Sequence, residues 1–313
     1  MPDTQHTASR TSVWLAFASV YFFWGSTYTA IRIGAADMPA LLLAGTRFLI
    51  AGAILLLWCA WRRLRIFWPP REMLTIAVIS MLLLGGGNLG LVYAERTVPS
   101  GFASLALAVM PLYVAVIEMM LPGGETLPLR GWMGVLTGVG GLGALLWPSL
   151  RHGLHGDIQL LLALGALLGG NLTWAIGSIW SRHRQLKVNS FVAASWQMLI
   201  AGFFCTVLGT ALHQWSDFHL TTRAAGSLAY LITGGSLLGY SGFVYLIEHV
   251  PVARVSSYSY VNPMVAVLLG ILVLHERPEP AEFLGMPLIV VAVFLLTTAR
   301  VGKNAVVVEE AAE

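Results

Sequence analysis

The stretch VPSGFASLALAVMP at residues 98–111 is repeated as VPVARVSSYSYVNP at residues 250–263. The matched positions in it include Pro99 with Pro251, Ser104 with Ser256, and Pro111 with Pro263. Earlier in the chain an offset of 150 residues relates Trp24 to Trp174, Arg32 to Arg182, and LIAG at 49–52 to LIAG at 199–202. A repeat of this length indicates that one structural unit has been duplicated.

Charged residues are scarce in this chain. They make up 11% of its 313 residues, against about 25% in an average soluble domain, while 57% of residues are hydrophobic and the mean hydropathy is +0.76. These values predict a polytopic membrane protein. The net charge of +3 comes from scattered basic residues, so nucleic acid is not an expected partner. Cys59 and Cys205 both lie in apolar runs, which indicates neither a disulfide framework nor a zinc site.

Ten apolar runs are long enough to cross about 30 Å of hydrocarbon as helices. They cover residues 13–33, 40–61, 73–94, 101–121, 131–148, 158–181, 190–212, 226–247, 252–274 and 281–299. The loops between them are short. We therefore predict an all-α polytopic protein whose residues 1–313 form a single membrane domain. A first five-helix repeat covers 12–148, and a second, inverted repeat covers 158–300.

The distribution of Lys and Arg gives the orientation of these helices. If the N-terminus is inside the cell, the inner segments carry 12 of these residues and the outer loops carry 5. Cytoplasmic loops retain positive charge, so both termini are expected in the cytoplasm. Because each half has an odd number of spans, the second half must enter the membrane from the opposite face. Such inverted repeats are typical of secondary transporters, which bind substrate near mid-membrane between the repeats.

Polar side chains at mid-span are candidates for function, because they are costly in hydrocarbon. The first span carries Trp24, Ser26 and Tyr28 about halfway through, and the sixth carries Asn171 and Trp174. Trp24 and Tyr28 are four residues apart, and Asn171 and Trp174 are three apart, so each pair shares a helix face. The alternative is that these residues only pack and link helices.

The third and eighth spans are matched at Asn88 and Tyr240. Asn88 follows Gly85, Gly86 and Gly87, and three consecutive glycines weaken a helix. Two interpretations are open here: the backbone bends or approaches a ligand, or it packs closely against another helix.

The fourth and ninth spans each contain a proline at mid-span. Pro111 and Pro263 leave the carbonyl groups of Leu107 and Ser259 without a helical donor, which makes both prolines candidate hinges or parts of a cavity wall. An inert kink is the alternative.

The ninth span is the more polar of these two spans. Tyr258, Tyr260 and Asn262 precede its proline, whereas positions 106, 108 and 110 of the fourth span hold Ala, Ala and Met. The two halves share the position of the proline but differ in the polarity of the side chains before it, which indicates an asymmetric substrate.

Few ionisable residues lie within the spans. Arg47 is about two turns into the second span, where it pairs with Glu95, snorkels to the outer surface, or binds a substrate carboxylate. Glu118 lies near the inner end of the fourth span. No carboxylate is found at mid-membrane, where a proton-coupled or sodium-coupled carrier usually places one.

No enzyme motif is present in the sequence. HExxH and GxxxxGK[ST] are absent, and the histidines lie mostly in loops or tails, so we predict neither an enzyme nor a bound cofactor or metal. Gly134 and Gly138 form a GxxxG pattern, which serves either a dimer seam or packing within the chain. A monomer or a weak homodimer is expected.

Three stretches resemble the EamA-type branch of the drug/metabolite transporter superfamily: FWGSTYTAIRIG at 23–34, TRFLIAG at 46–52 and YVNPMVAVLLGILVLHE at 260–276. The resemblance covers nearly the whole chain. Within that branch, the chain is similar to bacterial inner-membrane exporters of amino acids, including aromatic ones. It implies ten helices in an inverted repeat, with a central cavity lined by helices 1, 3, 4, 6, 8 and 9. It places the following residues along or near that cavity: Trp24, Asn88, Pro111, Trp174, Tyr240 and Tyr258.

These observations together predict a secondary transporter of the bacterial inner membrane that exports amino acids and related small metabolites by alternating access. The expected substrate-binding residues are Trp24, Ser26, Tyr28, Asn88, Asn171, Trp174, Tyr240, Tyr258, Tyr260 and Asn262, with Pro111 and Pro263 as hinges. One alternative is a proton-coupled exporter of amphipathic cations, which needs a buried acid such as Glu118. Another is a membrane sensor or scaffold that binds a ligand without transporting it.

Overall fold

The computed structural model describes residues 10–98, 100–121, 125–126, 128–154, 158–184, 186–250, 252–256, 258–275, 280–298 and 302–303. Pro99 and Pro251, which the repeat matches, lie outside these residues.

Ten helical stretches make up most of the described chain. The first half contains α1 (10–35), α2 (Ala40–Trp61), α3 (Pro70–Ala94), α4 in two segments (Ser100–Leu107 and Met110–Met120) and α5 (Leu129–Leu154). The second half contains α6 (Ile158–Arg184), α7 (Ser190–Ala211), α8 (Thr222–His249), α9 in two segments (Val252–Val255 and Tyr258–Leu274) and α10 (Pro280–Thr298). A 3₁₀ helix, Gln214–Asp217, follows α7, and two short strands, β1 (Glu125–Thr126) and β2 (Gly302–Lys303), pair in antiparallel fashion.

Five of the described helices are long and apolar enough to cross a membrane: α2, α3, α6, α7 and α8. Shorter apolar segments lie in α4, α9 and α10, at Met110–Met120, Val261–Leu274 and Phe283–Ala292. The chain is therefore an all-helical membrane protein apart from its two-residue strands. Its ten spans and the location of its termini stay predictions.

The repeated LIAG string packs α2 against α7. A Cβ atom at Gly52 would lie 2.9 Å from the backbone nitrogen of Leu199, and a Cβ atom at Gly202 would lie 2.7 Å from the backbone nitrogen of Leu49. Adding the offset of 150 residues turns Gly52 into Gly202 and Leu49 into Leu199, so each contact is the repeat-related counterpart of the other. Small residues let the backbones of membrane helices approach this closely, so the string has the same packing role in both halves.

Glycines also bring α3 close to α6. A Cβ atom at Gly86 would lie 2.4 Å from Oγ1 of Thr173, and one at Gly90 would lie 2.3 Å from the carbonyl oxygen of Ala166. Gly86 of the glycine run therefore serves close helix packing, which is one of the two interpretations that the sequence allowed.

The GxxxG pattern of α5 faces α10 within the same chain. A Cβ atom at Gly138 would lie 3.3 Å from the Cβ atom of Ala292, which is buried. This contact favours packing within the chain as the role of the pattern.

Pro111 begins a helix segment and does not interrupt one, contrary to the expectation from the sequence. Helix α4 ends its first segment at Leu107, and Pro111 lies in the first turn of the second segment. At this position the missing N–H has no helical partner to lose. Pro263, in contrast, lies inside the second segment of α9.

Two repeat-matched arginines make the same contact at two corners of the molecule. Arg32 of α1 donates from Nη1 to the carbonyl oxygens of Glu95 and Val98, which follow α3. Arg182 of α6 donates from Nη1 to the carbonyl oxygen of Ile247 at the end of α8, at 3.3 Å. A cation stabilises the partial negative charge of a helix C-terminus, so in each half the first helix is tied to the third.

Candidate functional site

A central cavity lies between α1, α2, α3, α4, α6, α8 and α9. Its wall consists of Trp24, Thr27, Tyr28, Arg47, Phe48, Leu84, Gly87, Asn88, Leu91, Leu107, Asn171, Trp174, Gly235, Tyr240, Tyr258 and Ser259. The space between them amounts to about 660 Å³, with open solvent at its mouth included. The wall is mostly apolar and carries a few polar groups, as the walls of binding sites for small molecules commonly do.

Seven of the ten residues that we predicted to bind substrate line this cavity: Trp24, Tyr28, Asn88, Asn171, Trp174, Tyr240 and Tyr258. Residues of both halves therefore meet in one wall. Helix α2 also contributes to the wall, although the family resemblance did not place it there.

Two repeat-matched tryptophans meet in this wall. The ring centroids of Trp24 and Trp174 are 5.4 Å apart, and the rings are edge-to-face at 81°. A Cβ atom at Gly239 would lie 2.5 Å from the Trp24 ring, and one at Gly87 would lie 2.6 Å from the Trp174 ring. Gly87 and Gly239 are themselves matched at the offset of 152. Each tryptophan thus rests on a glycine of the other half.

Other groups hold Trp24 in place. Its indole N–H donates to the carbonyl oxygen of Gly235 at 3.1 Å. The rings of Phe243 and Tyr258 lie 4.9 and 5.0 Å from it, centroid to centroid. Aromatic pairs at these separations attract each other beyond the burial of their area, so the rings form a preorganised apolar surface.

Three helices contain π-helical turns that end at cavity residues. These turns are Val20–Trp24 in α1, Met81–Asn88 in α3 and Leu231–Tyr240 in α8. A π-helical turn contains more residues than an α-helical turn and is frequent at functional sites. The turns in α3 and α8 end at the repeat-matched Asn88 and Tyr240, so both halves present these side chains in the same way.

Asn171 lies across from the break in α4. Its Nδ2 donates to the carbonyl oxygen of Leu107 at 3.1 Å. Leu107 ends the first segment of α4, so its carbonyl has no donor within that helix segment. One amide therefore satisfies a backbone carbonyl that would otherwise have no donor.

Tyr240 and Asn88 occupy matched positions but differ in their partners. The Tyr240 hydroxyl donates to Oε1 of Gln197 at 2.7 Å. Ser80 in turn donates to the carbonyl oxygen of Gln197 at 2.6 Å. The Oδ1 atom of Asn88 is buried and has no hydrogen-bond partner in the described part of the chain.

Three of the predicted residues do not join the cavity wall. The Ser26 hydroxyl is 2.5 Å from the hydroxyl of Tyr230 in α8. Asn262 is buried beside Tyr28, at 1% exposure, and its side chain is not part of the wall. The side chain of Tyr260 lies outside the described part of the structure.

Arg47 lies in the cavity wall. Its exposure is 4%, so it does not snorkel to the membrane surface. Its Nε donates to Oγ of Ser236 at 2.8 Å, and its guanidinium lies 4.9 Å from the centroid of the Phe48 ring. Between the described atoms of Arg47 and Glu95 there is no salt bridge. Two of the three interpretations of Arg47 are therefore wrong, and substrate binding stays a prediction.

Glu118 is not part of the cavity wall. It is buried in α4, where its Oε1 lies 3.2 Å from Nε2 of His183 in α6. The carboxylate that a carrier of cationic drugs would need is thus engaged with a histidine.

Four wall residues were not singled out from the sequence: Phe48, Leu84, Leu91 and Gly235. They are apolar or small residues of types that are abundant throughout the chain, so no local signal marks them. The carbonyl groups of Leu107 and Ser259, in contrast, were expected in a cavity wall, and both residues line it.

The helical fold and the cavity between the two halves define a polytopic membrane transporter. The EamA-like transporter family matches the chain twice, over residues 11–147 and 161–298. The chain belongs to this family, within the drug/metabolite transporter superfamily, and it is a multi-pass protein of the inner membrane.

Relatives cover nearly the whole chain. The "uncharacterized inner membrane transporter YedA" of Escherichia coli strain K12 is 35% identical over 295 residues, which cover 91% of this chain and 90% of the relative. The "uncharacterized transporter YoaV" of Bacillus subtilis is 28% identical over an alignment that covers 91% of this chain and 96% of the relative. A protein of known crystal structure is similar in fold, with a TM-score of 0.71, 19% identity, and coverage of 93% of this chain and 98% of the other.

Proposed function

We propose that this transporter exports amino acids, aromatic ones included, together with related small metabolites. The observation that carries the proposal is the edge-to-face pair of Trp24 and Trp174 in a cavity that also contains amide and hydroxyl groups. The rings offer flat apolar surfaces to an apolar side chain, and the polar groups suit the charged end of an amino acid.

We further propose that the ten helices form an inverted repeat and that transport proceeds by alternating access. Support comes from matched residues that exchange contacts, as in the pairs Gly52 with Leu199 and Gly202 with Leu49. Such reciprocal contacts are those of an approximate twofold axis between the halves. With five spans per half, this axis lies in the plane of the membrane and the two halves have opposite orientations. One half then rocks against the other, which opens the cavity to the two sides of the membrane in turn.

Export of amphipathic cations is less well supported by the cavity. The described wall contains Arg47 and neither Asp nor Glu, so none of its described side chains supplies a negative charge to bind a cation. The third possibility, a sensor without transport, predicts ligand binding without flux, which the same experiment tests.

The experiment is uptake of radiolabelled L-phenylalanine, L-threonine and L-methionine into proteoliposomes, with and without a pH gradient. We expect at least one of them to enter faster than into empty liposomes. Trp174→Ala should slow this uptake about five- to tenfold, because an aromatic contact contributes about 1 kcal/mol or more.

The control for this variant is Trp14→Ala, since Trp14 is 71% exposed and lies outside the cavity wall. Its uptake should equal that of the unmodified protein. Rates equal to those of empty liposomes for all three amino acids would refute the proposal.

A further inference from the structure

The position of Arg47 in the cavity wall is unusual for a charged residue. Its side chain is almost fully buried in a chain that crosses a membrane, and it comes from α2, the helix that otherwise packs against α7. Buried charges in membrane proteins are rare and mark substrate pathways, relays or binding sites.

The hydrogen-bonding capacity of Arg47 is only partly used. A guanidinium has five N–H donors, and it is never deprotonated in proteins. The Nε donor is taken by Ser236, whereas Nη1 is buried and has no partner in the described residues. A donor left in this state carries the full penalty of its lost hydration, and an anionic ligand would remove that penalty.

The charge of Arg47 is likewise uncompensated within the described wall. Trp24, Tyr28, Trp174 and Tyr258 are neutral, and the described wall residues include no Asp or Glu. A guanidinium binds a carboxylate through two parallel hydrogen bonds, which is the geometry that Arg supplies better than Lys.

Asn88 supplies the complementary group. Its Oδ1 is buried without a hydrogen-bond partner among the described residues, and it can only accept. Tyr240, at the matched position of the other half, is by contrast engaged with Gln197. The cavity therefore combines a free cationic donor and a free acceptor with aromatic rings.

We propose that Arg47 binds the carboxylate of the substrate and that Asn88 accepts a hydrogen bond from its ammonium group. The cavity then recognises the two charges of an α-amino acid, and the aromatic rings contact its side chain. This inference rests on the proposed transport of amino acids and specifies which residues bind the carboxylate and the ammonium group of the substrate.

The test uses three probes that share a phenylethyl group. L-Phenylalanine has a carboxylate and an ammonium group, 3-phenylpropionate lacks the ammonium group, and phenethylamine lacks the carboxylate. Binding of each to the purified full-length protein is measured by equilibrium dialysis, and folding of every variant is checked by size-exclusion chromatography. The variants are Arg47→Gln, Arg47→Lys, Asn88→Ala and Ser236→Ala.

We expect the unmodified protein to bind L-phenylalanine more tightly than phenethylamine. Arg47→Gln should weaken both carboxylate probes at least about tenfold, because hydrogen bonds to charged groups contribute that much. Asn88→Ala should weaken L-phenylalanine and leave 3-phenylpropionate unchanged. Ser236→Ala retains the charge and should change carboxylate binding less than about fivefold, as the loss of one neutral hydrogen bond would.

Two outcomes separate this inference from the proposed function. If folded Arg47→Gln binds L-phenylalanine as the unmodified protein does, the role of Arg47 is refuted while amino-acid transport stands. If the unmodified protein binds 3-phenylpropionate but not L-phenylalanine, and Arg47→Gln loses this binding, Arg47 is an anion site and the amino-acid proposal fails.

Arg47→Lys provides the same test if Arg47→Gln does not fold. It retains the charge but not the planar fork, and carboxylate binding should fall about tenfold. Unchanged carboxylate binding in a folded Arg47→Lys protein would refute the proposed two-hydrogen-bond contact.

Discussion

Asn88 and Asn171 line the same cavity, yet their amides have different roles. Asn171 donates to the carbonyl oxygen of Leu107 at the break in α4, so it satisfies a backbone acceptor. The Oδ1 atom of Asn88 has no partner among the described residues, so it is available to a ligand. A change of Asn171 should therefore lower the stability of the protein, whereas a change of Asn88 should weaken ligand binding.

We predict that Asn171→Ala lowers the free energy of unfolding by about 1–3 kcal/mol, because the Leu107 carbonyl loses its donor while it stays buried. Asn88→Ala serves as the matched comparison and should leave stability unchanged or raise it, because the buried Oδ1 atom has no partner to lose among the described residues. Both values are measured by thermal unfolding of the purified protein, followed by tryptophan fluorescence. Equal losses of stability in the two variants would contradict the different roles.

The sequence identified Arg47 as an ionisable residue within a span but left its burial and its partner open. Depth in a span follows from counting residues along a helix, and this gave the position about two turns from the outer end. The partner depends on which helix packs against that face, and here α8 supplies Ser236. Contacts between distant helices have no local signal, so three interpretations remained until the fold was known.

At the scale of helices, close contact between α2 and α7 depends on glycine. A Cβ atom at Gly202 would lie 2.7 Å from the backbone nitrogen of Leu49, and a Cβ atom at Gly52 would lie 3.0 Å from the carbonyl oxygen of Ser195. Backbone atoms cannot move aside as the end of a flexible side chain can. Even one methyl group must therefore separate the helices.

We predict that Gly52→Ala and Gly202→Ala each destabilise the protein by about 1–3 kcal/mol, as overpacking of a filled interior does. Gly165→Ala in α6 is the control, because a Cβ atom there meets nothing within 4 Å. This control should be neutral or stabilising by up to about 1 kcal/mol, since Ala is the better helix former. Thermal unfolding of the three variants measures the difference, and a loss at Gly165 as large as at Gly202 would contradict it.

The sequence predicted the helices better than their irregularities. Apolar runs and the repeat gave the positions of α2 and α7 to within one residue. The π-helical turns that end at Trp24, Asn88 and Tyr240 were not predicted, because one extra residue per turn leaves no mark in an apolar sequence. The sequence marked Pro111 as a candidate hinge, with an inert kink as the alternative, but it did not predict the break in α4 before Pro111. A proline indicates a lost hydrogen bond, not the conformation that the chain adopts in response.

For the molecule as a whole, two sets of hydrogen bonds join segments that the predicted topology places on the same side of the membrane. Which side is cytoplasmic stays a prediction. Asp37, after α1, accepts hydrogen bonds from the backbone of His219 and the hydroxyl of Thr221, at 2.9 and 2.6 Å. Trp196 of α7 donates to the carbonyl oxygen of Ile66, which follows α2, at 2.8 Å. The first pair joins segments predicted to be outside the cell, and the second joins segments predicted to be inside.

We predict that a cysteine introduced by Ser216→Cys reacts with a membrane-impermeant maleimide in intact spheroplasts, whereas one introduced by Phe67→Cys reacts only after permeabilisation. Both positions are exposed, and Phe67 carries no charge that would alter the distribution of basic residues. Cys59→Ala and Cys205→Ala form the background. The reverse pattern of labelling would place the termini outside the cytoplasm.

The exchange of tryptophans between the halves has a consequence for how such a protein can be assembled. Since Trp24 rests on Gly239 and Trp174 rests on Gly87, neither half contains a complete cavity wall. If the repeat is inverted as proposed, a chain of only one half would rebuild both contacts as a pair of identical subunits, inserted into the bilayer in opposite directions. Joining the halves in one polypeptide removes the need for this dual insertion. It also leaves each half free to acquire its own side chains, as Asn88 and Tyr240 have done at one shared position.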